Sequence, residues 1–190
     1  MSKSGPTTAA TLTLNLNGTT FRGLRQDRRW LVAGRDYTLS GSQLTLTARA
    51  LTRLTGARTY GTDATLQARF SRGVPWPIDV ITYDTPVVSG ASGTTSSFAV
   101  PTRFQGDRLA TMEAVYADGT NAGPANWTSF QQFGATFSPD YTNDVITLTP
   151  GFLDALTDGA SVTLTFHFWS GATVRYQVSR SGTAVTGMTS

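Results

Sequence analysis

The sequence predicts an all-β chain of two tandem antiparallel β-sandwiches over its 190 residues, and three observations carry that prediction. Apolar and polar residues alternate with period two, as in Thr11-Leu-Thr-Leu-Asn-Leu16, which is the pattern of a strand with one buried face. Strong helix formers are scarce: Glu113 is the one glutamate and Lys3 the one lysine, whereas Thr, Gly and Ser abound. That balance favours strands and turns. Finally, the chain repeats itself. Leu66-Gln-Ala-Arg-Phe70-Ser71-Arg72-Gly73 returns as Leu164-Thr-Phe-His-Phe168-Trp169-Ser170-Gly171, and Leu44-Thr-Leu-Thr returns as Ile146-Thr-Leu-Thr. Two copies of roughly 85 residues each are long enough to fold separately.

The elements follow in order. In the first copy, strands are expected at 11–16, which runs into the Asn17-Gly18 turn signal, and at 20–24, 36–40, 43–47, 63–70 and 76–83. The second copy offers 97–99, 108–116, 134–138, 145–148, 161–168 and 173–179. Residues 48–55 and 150–157 are the only helical-looking stretches. Each follows a Thr, and Pro150 near the second start fits helix punctuation. The resulting domain plan is a linker end or expression scar at 1–10, a first domain at 11–84, a Gly/Ser-rich linker at 85–96, a second domain at 97–182 and a tail at 183–190. Residues 1–8 lack the apolar core of a signal peptide, so a longer parent protein is expected.

The closing hairpins can be registered from apolar pairing. A three-residue loop at 170–172 pairs Phe168 with Val174, Phe166 with Tyr176 and Leu164 with Val178, making one inward face. Trp169, His167, Thr165, Arg175 and Gln177 then point outward. The same register puts Phe70, Trp76, Ala68 and Ile78 inside the first copy.

Composition excludes several classes of function. The absence of cysteine removes disulfides and thiolate chemistry, and without an apolar run of 18 residues there is no membrane-spanning helix. Residues 1–92 carry eleven Lys or Arg against five Asp, a net +6, while the remainder carries four against seven, a net −3. The arginines form no basic run and no recognition motif, so no nucleic-acid partner is expected. A monomer is assumed. Hydrolysis of a glycoside by general acid and base needs two carboxylates facing one cleft, and the single Glu with scattered turn-type Asp shows no such constellation. His167 has no second His beside it, and no Asp spacing suggests calcium. No cofactor, metal or catalytic residue is nominated.

The tryptophans point to binding. Trp76 reads as core, and Trp30 as packing at a domain edge or as part of a contact surface. Trp169 stands where the first copy has Ser71, so the fold itself does not need an aromatic there; it is either covered by a loop or offered to a ligand. Trp127 lies in a Gly/Asn/Pro-rich insertion, residues 117–132, that the first copy spans more briefly. An indole on a loop over a rigid sandwich suits sugar recognition. The C–H face of a β-linked glucose ring can lie on it while Asn, Gln and Ser take the hydroxyls. Trp127, Trp169, His167, Asn126 and Gln131 are therefore the candidate carbohydrate-binding residues.

Particular segments also resemble known families. Leu16-Asn-Gly18, Leu31-Val-Ala-Gly34-Arg-Asp36-Tyr37 and Phe70-Ser-Arg-Gly73 resemble the immunoglobulin-like carbohydrate-binding module family X2. Pro101-Thr-Arg-Phe-Gln-Gly106, Ala110-Thr-Met-Glu-Ala-Val-Tyr116, Gly123-Pro-Ala-Asn-Trp127-Thr-Ser-Phe130 and Phe166-His-Phe-Trp169-Ser-Gly171 are similar to carbohydrate-binding module family 46. The resemblance implies two immunoglobulin-like sandwiches that accompany a family 5 glycoside hydrolase module in a secreted, extracellular bacterial endoglucanase. It further implies β-glucan partners (mixed-linkage glucan and xyloglucan) for the second unit and a stiff-spacer role for the first. Trp127 is implied as an aromatic that completes the rim of the catalytic cleft. The alternative is a structural immunoglobulin-like spacer with negligible glucan affinity of its own.

Overall fold

A computed structural model describes residues 1–190. The chain divides into two units, Met1–Asp84 and Thr85–Ser190, and each builds its own core from two antiparallel sheets.

The first unit runs through β1 (Ala10–Thr13), β2 (Phe21–Gln26), β3 (Arg29–Trp30), β4 (Tyr37–Ser40), β5 (Gln43–Leu46), α1 (Ala48–Thr55), β6 (Gly61–Phe70) and β7 (Trp76–Thr82). Its sheets are β1-β5-β4 and β3-β2-β6-β7. Leu24, Leu44 and Leu66, one from each of three strands, are fully buried between them. The second unit runs through β8 (Val87–Val88), β9 (Ala91–Thr94), β10 (Phe98–Arg103), β11 (Leu109–Tyr116), β12 (Phe137–Asp140), β13 (Val145–Leu148), α2 (Pro150–Asp154), β14 (Ser161–Phe168), β15 (Thr173–Ser181) and β16 (Ala184–Thr189). Its sheets are β12-β13-β10-β8 and β11-β14-β15-β16-β9, closed over Met112, Phe137, Phe152, Phe166 and Tyr176.

Both short helices start as the sequence predicts. Thr47 and Thr149 cap them, their hydroxyls accepting from the N–H of Ala50 at 3.2 Å and of Phe152 at 3.3 Å. Each bond satisfies one of the free donors of a helix start. The second helix ends three residues before the expected 157.

Three expectations need correction. The stretch 85–96 is no linker: β8 pairs with β10, and β9 pairs with β16. The stretch 183–190 is no tail, because β16 joins β15 to β9 and buries Val185 completely. A Gly- and Ser-rich composition hid the strands of the first stretch, and the second offers only the short run Ala184–Thr189, with a glycine at its centre. The reason for one of those glycines is visible: a Cβ on Gly187 would lie 2.4 Å from the ring of buried Tyr176. Residues 1–4 also pack on the fold. Ser2 bridges Tyr83 in parallel, the Lys3 N–H donates to the Tyr83 carbonyl at 2.7 Å, and the Ser2 and Ser4 hydroxyls donate to Asp84.

The closing hairpins keep the predicted faces but shift their register by two residues. Phe166 pairs with Val174, Leu164 with Tyr176 and Val162 with Val178. The loop is Trp169-Ser170-Gly171, one position earlier than expected, and it is closed by a Phe168 N–H to Ala172 carbonyl bond of 2.9 Å. Gly171 has φ +88°, the left-handed position that ends a three-residue hairpin loop. A slip of two leaves inward residues inward. Gly73, φ +89°, does the same for Ser71-Arg72-Gly73, so Trp76 faces Ala68. Trp76 is consequently not core: it is 39 % exposed at the sheet end and leans on Phe70, with ring centroids 4.7 Å apart.

One buried charge distinguishes the first unit. Asp36 is wholly buried where the second unit has Thr136. Its carboxylate accepts from Arg35 at 3.1 Å, from Arg53 at 3.0 Å and from the Val32 N–H at 2.8 Å. The Arg35 guanidinium holds this carboxyl well below its ordinary range against the opposing effect of burial, and Arg53 and the Val32 N–H add to the lowering.

A carboxyl depressed by folding stabilises the folded state above the unfolded value, near 3.9, and that contribution fades as pH falls through the folded value. Asp36→Asn should therefore cost the first unit about 1–3 kcal/mol at neutral pH and flatten the acid side of its stability profile. Denaturant melts from pH 7 down to pH 2 check this. Gly187→Ala should destabilise the second unit by about 1–3 kcal/mol through overpacking against Tyr176, which a two-transition melt will assign to that unit.

Candidate functional site

The pairing of the two units locates the insertion. Leu24 and Met112 occupy the same place, opposite Ala68 and Phe166, and Trp30 and Phe130 the same place beside Arg25 and Glu113. The numbering offset between copies rises from 88 to 100 across this stretch, so the second unit carries 12 extra residues between its counterparts of β2 and β3. Where the first unit turns through Asp27 and Arg28, the second builds a loop.

That loop is braced from below. Asp118 turns the chain, accepting from the Thr120 N–H at 2.9 Å and its hydroxyl at 2.6 Å. The Asn121 amide donates to the Asn126 carbonyl at 2.9 Å. Gln131 is buried, and its amide nitrogen donates to the carbonyls of Ala122 at 2.9 Å and Ser129 at 3.0 Å, tying the two limbs together. Gly123, φ +96°, leaves the space this needs: a Cβ there would lie 2.7 Å from Gln131 Oε1 and 2.9 Å from the Phe152 ring.

Trp127 stands at the tip with 83 % of its surface exposed. Beneath it opens a cleft of about 500 Å³ whose lining includes Pro124, Trp127, Thr128, Phe130 and Gln132. An indole and a phenyl ring with hydroxyl and amide groups between them form an apolar floor with a few orienting polar contacts.

The sheet extends this surface. Phe130 bridges Glu113, and its ring centroid lies 6.2 Å from that of His167. His167 Nε2 meets Glu113 Oε1 at 2.8 Å, and the Ser129 hydroxyl donates to Glu113 Oε2 at 3.1 Å. Both carboxylate oxygens are engaged, so Glu113 holds the His167 ring and the Ser129 hydroxyl in fixed orientation. Trp169 follows two residues after His167, on the same side, in the hairpin loop. Its N–H donates to the Arg108 carbonyl at 2.9 Å, and its side chain is 76 % exposed, with no loop covering it.

Of the five candidate residues, Trp127 and Gln131 line the cleft, while His167 and Trp169 continue outward from Phe130. Asn126 is exposed beside Trp127, with its carbonyl held by Asn121. Gln131 has both places: its amide nitrogen braces the loop, and the residue is part of the cleft lining. Phe130 and Glu113 were missed. The internal repeat held the signal for Phe130, since it aligns with Trp30.

The carbohydrate binding domain model CBM46 matches residues 84–188. The chain belongs to carbohydrate-binding module family 46. The model of carbohydrate binding domain X2 matches residues 2–80, so the X2-then-46 order read from the sequence holds, and no catalytic module lies within these 190 residues. Endoglucanase B of Paenibacillus lautus is 50 % identical over 177 residues, 93 % of this chain and 31 % of that protein. The full-length tri-modular endo-β-1,4-glucanase B (Cel5B) of Bacillus halodurans superposes with a TM-score of 0.95 at 44 % identity, covering 100 % of this chain and 35 % of that one. The isolated family 46 module of the same enzyme, 51 % identical, covers 56 % of this chain and 100 % of its own, with a TM-score of 0.54. The family 46 and X2 pair thus spans about a third of the length of the full-length relatives it matches.

Gln131→Ala should release the family 46 loop, with amide hydrogen exchange over residues 121–130 rising about fivefold to a hundredfold for a loss of about 1–3 kcal/mol of local stability, while exchange in β14 stays unchanged.

Proposed function

We propose that this chain is the non-catalytic accessory module pair of a secreted bacterial endo-β-glucanase, binding mixed-linkage β-glucan and xyloglucan through aromatic stacking in the second unit. One observation carries the reading: a braced 12-residue insertion, absent from the first unit, lifts Trp127 to 83 % exposure above a cleft. No core contact explains an indole so placed, and burying it against a sugar face recovers the apolar area it exposes. Asn126, Thr128 and Gln132 lie at hand for hydroxyls, and Phe130, His167 and Trp169 offer further contact along the sheet. The site is shallow and wet, so affinity of about 4–8 kcal/mol, micromolar to millimolar, is expected.

Secretion follows from the ligand: an accessory for an insoluble or high-mass polysaccharide works outside the cell. The parent enzyme's family 5 catalytic module is the second partner, and Trp127 at the rim of its cleft gives that cleft an added sugar contact.

Affinity electrophoresis in mixed-linkage β-glucan and xyloglucan tests the reading. The chain should be retarded, and Trp127→Ala should weaken retardation by about tenfold, the equivalent of about 1.4 kcal/mol, with an unchanged thermal transition because the side chain is exposed. A parent chain that runs at the same rate with and without glucan would reduce it to a spacer.

A further inference from the structure

The two units set an aromatic at the same point of the same sheet, with opposite charge around it. In the second unit Phe130 is bridged to Glu113, and His167 follows on the neighbouring strand. In the first unit Trp30 pairs with Arg25, Arg25 pairs with Gln67, and Gly23 pairs with Arg69. Trp30 therefore occupies the place of Phe130, Arg25 that of Glu113, and Arg69 that of His167.

We propose that this outward face of β2, β3 and β6 is a second saccharide site, suited to an acidic polysaccharide whose sugar rings carry carboxylates. Trp30 is 55 % exposed, close to the 52 % of Phe130. Its indole lies against the backbone of Gly23, φ +146°, where a Cβ would meet Cζ3 at 3.1 Å. The ring is thus supported on one side and open on the other, as a stacking platform must be.

The charge around it supplies the specificity. Arg22, Arg25 and Arg69 lie on or beside this face, Arg28 in the turn at one end and Arg72 in the turn at the other. None of them forms an ion pair, whereas Arg35 and Arg53 are both committed to Asp36. Arg25 Nε donates to the Asp27 carbonyl at 2.5 Å, which holds the guanidinium in place while leaving its terminal nitrogens for a ligand. Of the nearby acids, Asp79 is farther along the same sheet, engaged by the Thr65 hydroxyl at 2.6 Å, and Asp27 sits in the hairpin turn. A planar guanidinium matches a carboxylate with two parallel bonds, and an indole beside it takes the ring that bears the carboxylate. An aromatic platform flanked by arginine forks is what a uronic acid unit requires. A phosphate polymer would use the charges without needing the indole in this place.

Calorimetric titration of the 190-residue chain with polygalacturonate tests this. Saturable binding is expected that Trp30→Ala weakens about three- to tenfold. Arg69→Lys, which keeps the charge and loses the fork, should weaken it about two- to fivefold. Trp127→Ala should leave it unchanged, which separates this site from that of the second unit. Should Trp30→Ala disturb the thermal transition of the first unit, Arg69→Lys and Arg25→Gln carry the test. Absence of binding, binding that survives every one of these changes, or single-stranded DNA bound as tightly as polygalacturonate would overturn the proposal.

Discussion

The outward faces of both units, and the base from which the inserted loop rises, are set by the pairing of the long central strands, β2 with β6 and β11 with β14. Side chains alternate strictly across a strand, so burial of Leu24, Leu66, Met112 and Phe166 forces Arg25, Arg69, Glu113 and His167 to the outer faces. The closing hairpins enforce that parity. Gly73 and Gly171, each in a left-handed conformation, end three-residue loops that set the register of both units. A slip of β15 by one residue would bury Arg175 and expose Tyr176 and Val178, at a cost no surface contact could offset.

On this shared scaffold the second unit adds β8, β9 and β16, and the binding-face differences fall where the common strands leave side chains outward. The Asp27–Arg28 turn of one becomes a 12-residue loop in the other, Ser71 becomes Trp169, and Arg25 with Arg69 becomes Glu113 with His167. Asp36, tied to two arginines, marks a different compromise. The first unit holds a buried carboxylate by charge-assisted bonds where the second uses Thr136, whose hydroxyl donates to the Gln132 carbonyl at 2.8 Å. Loop bracing in the second unit is likewise polar and local: Gln131 beneath Gly123 gives the Trp127 loop a fixed base without covering its tip.

Much of this was legible in the sequence, and what was not has physical causes. Strand alternation, the two threonine helix caps and the inserted Trp127 loop could be read because each rests on local pattern. The strands at 87–94 and 184–189 could not, because Gly90, Gly93 and Gly187 stand at close approaches, as Gly187 does against Tyr176, and interrupt the apolar alternation. The hairpin register missed by two because apolar pairing tolerates an even slip, and only the glycine's conformation decides it. The bracing role of Gln131 was not legible, because an amide in a loop has two uses and only its burial and partners reveal the second. Phe130 went unnominated although the repeat aligns it with exposed Trp30; reading the two copies against each other through β3 would have found it.

The central claim is that the sugar lies on the inserted loop of the second unit. Four tryptophans give four indole N–H resonances in a nitrogen–proton correlation spectrum, and titration with a mixed-linkage gluco-oligosaccharide reads each separately. The Trp127 signal should shift furthest, Trp169 less, and Trp76 not at all. A Trp127 resonance that stays fixed while another indole moves would contradict the account.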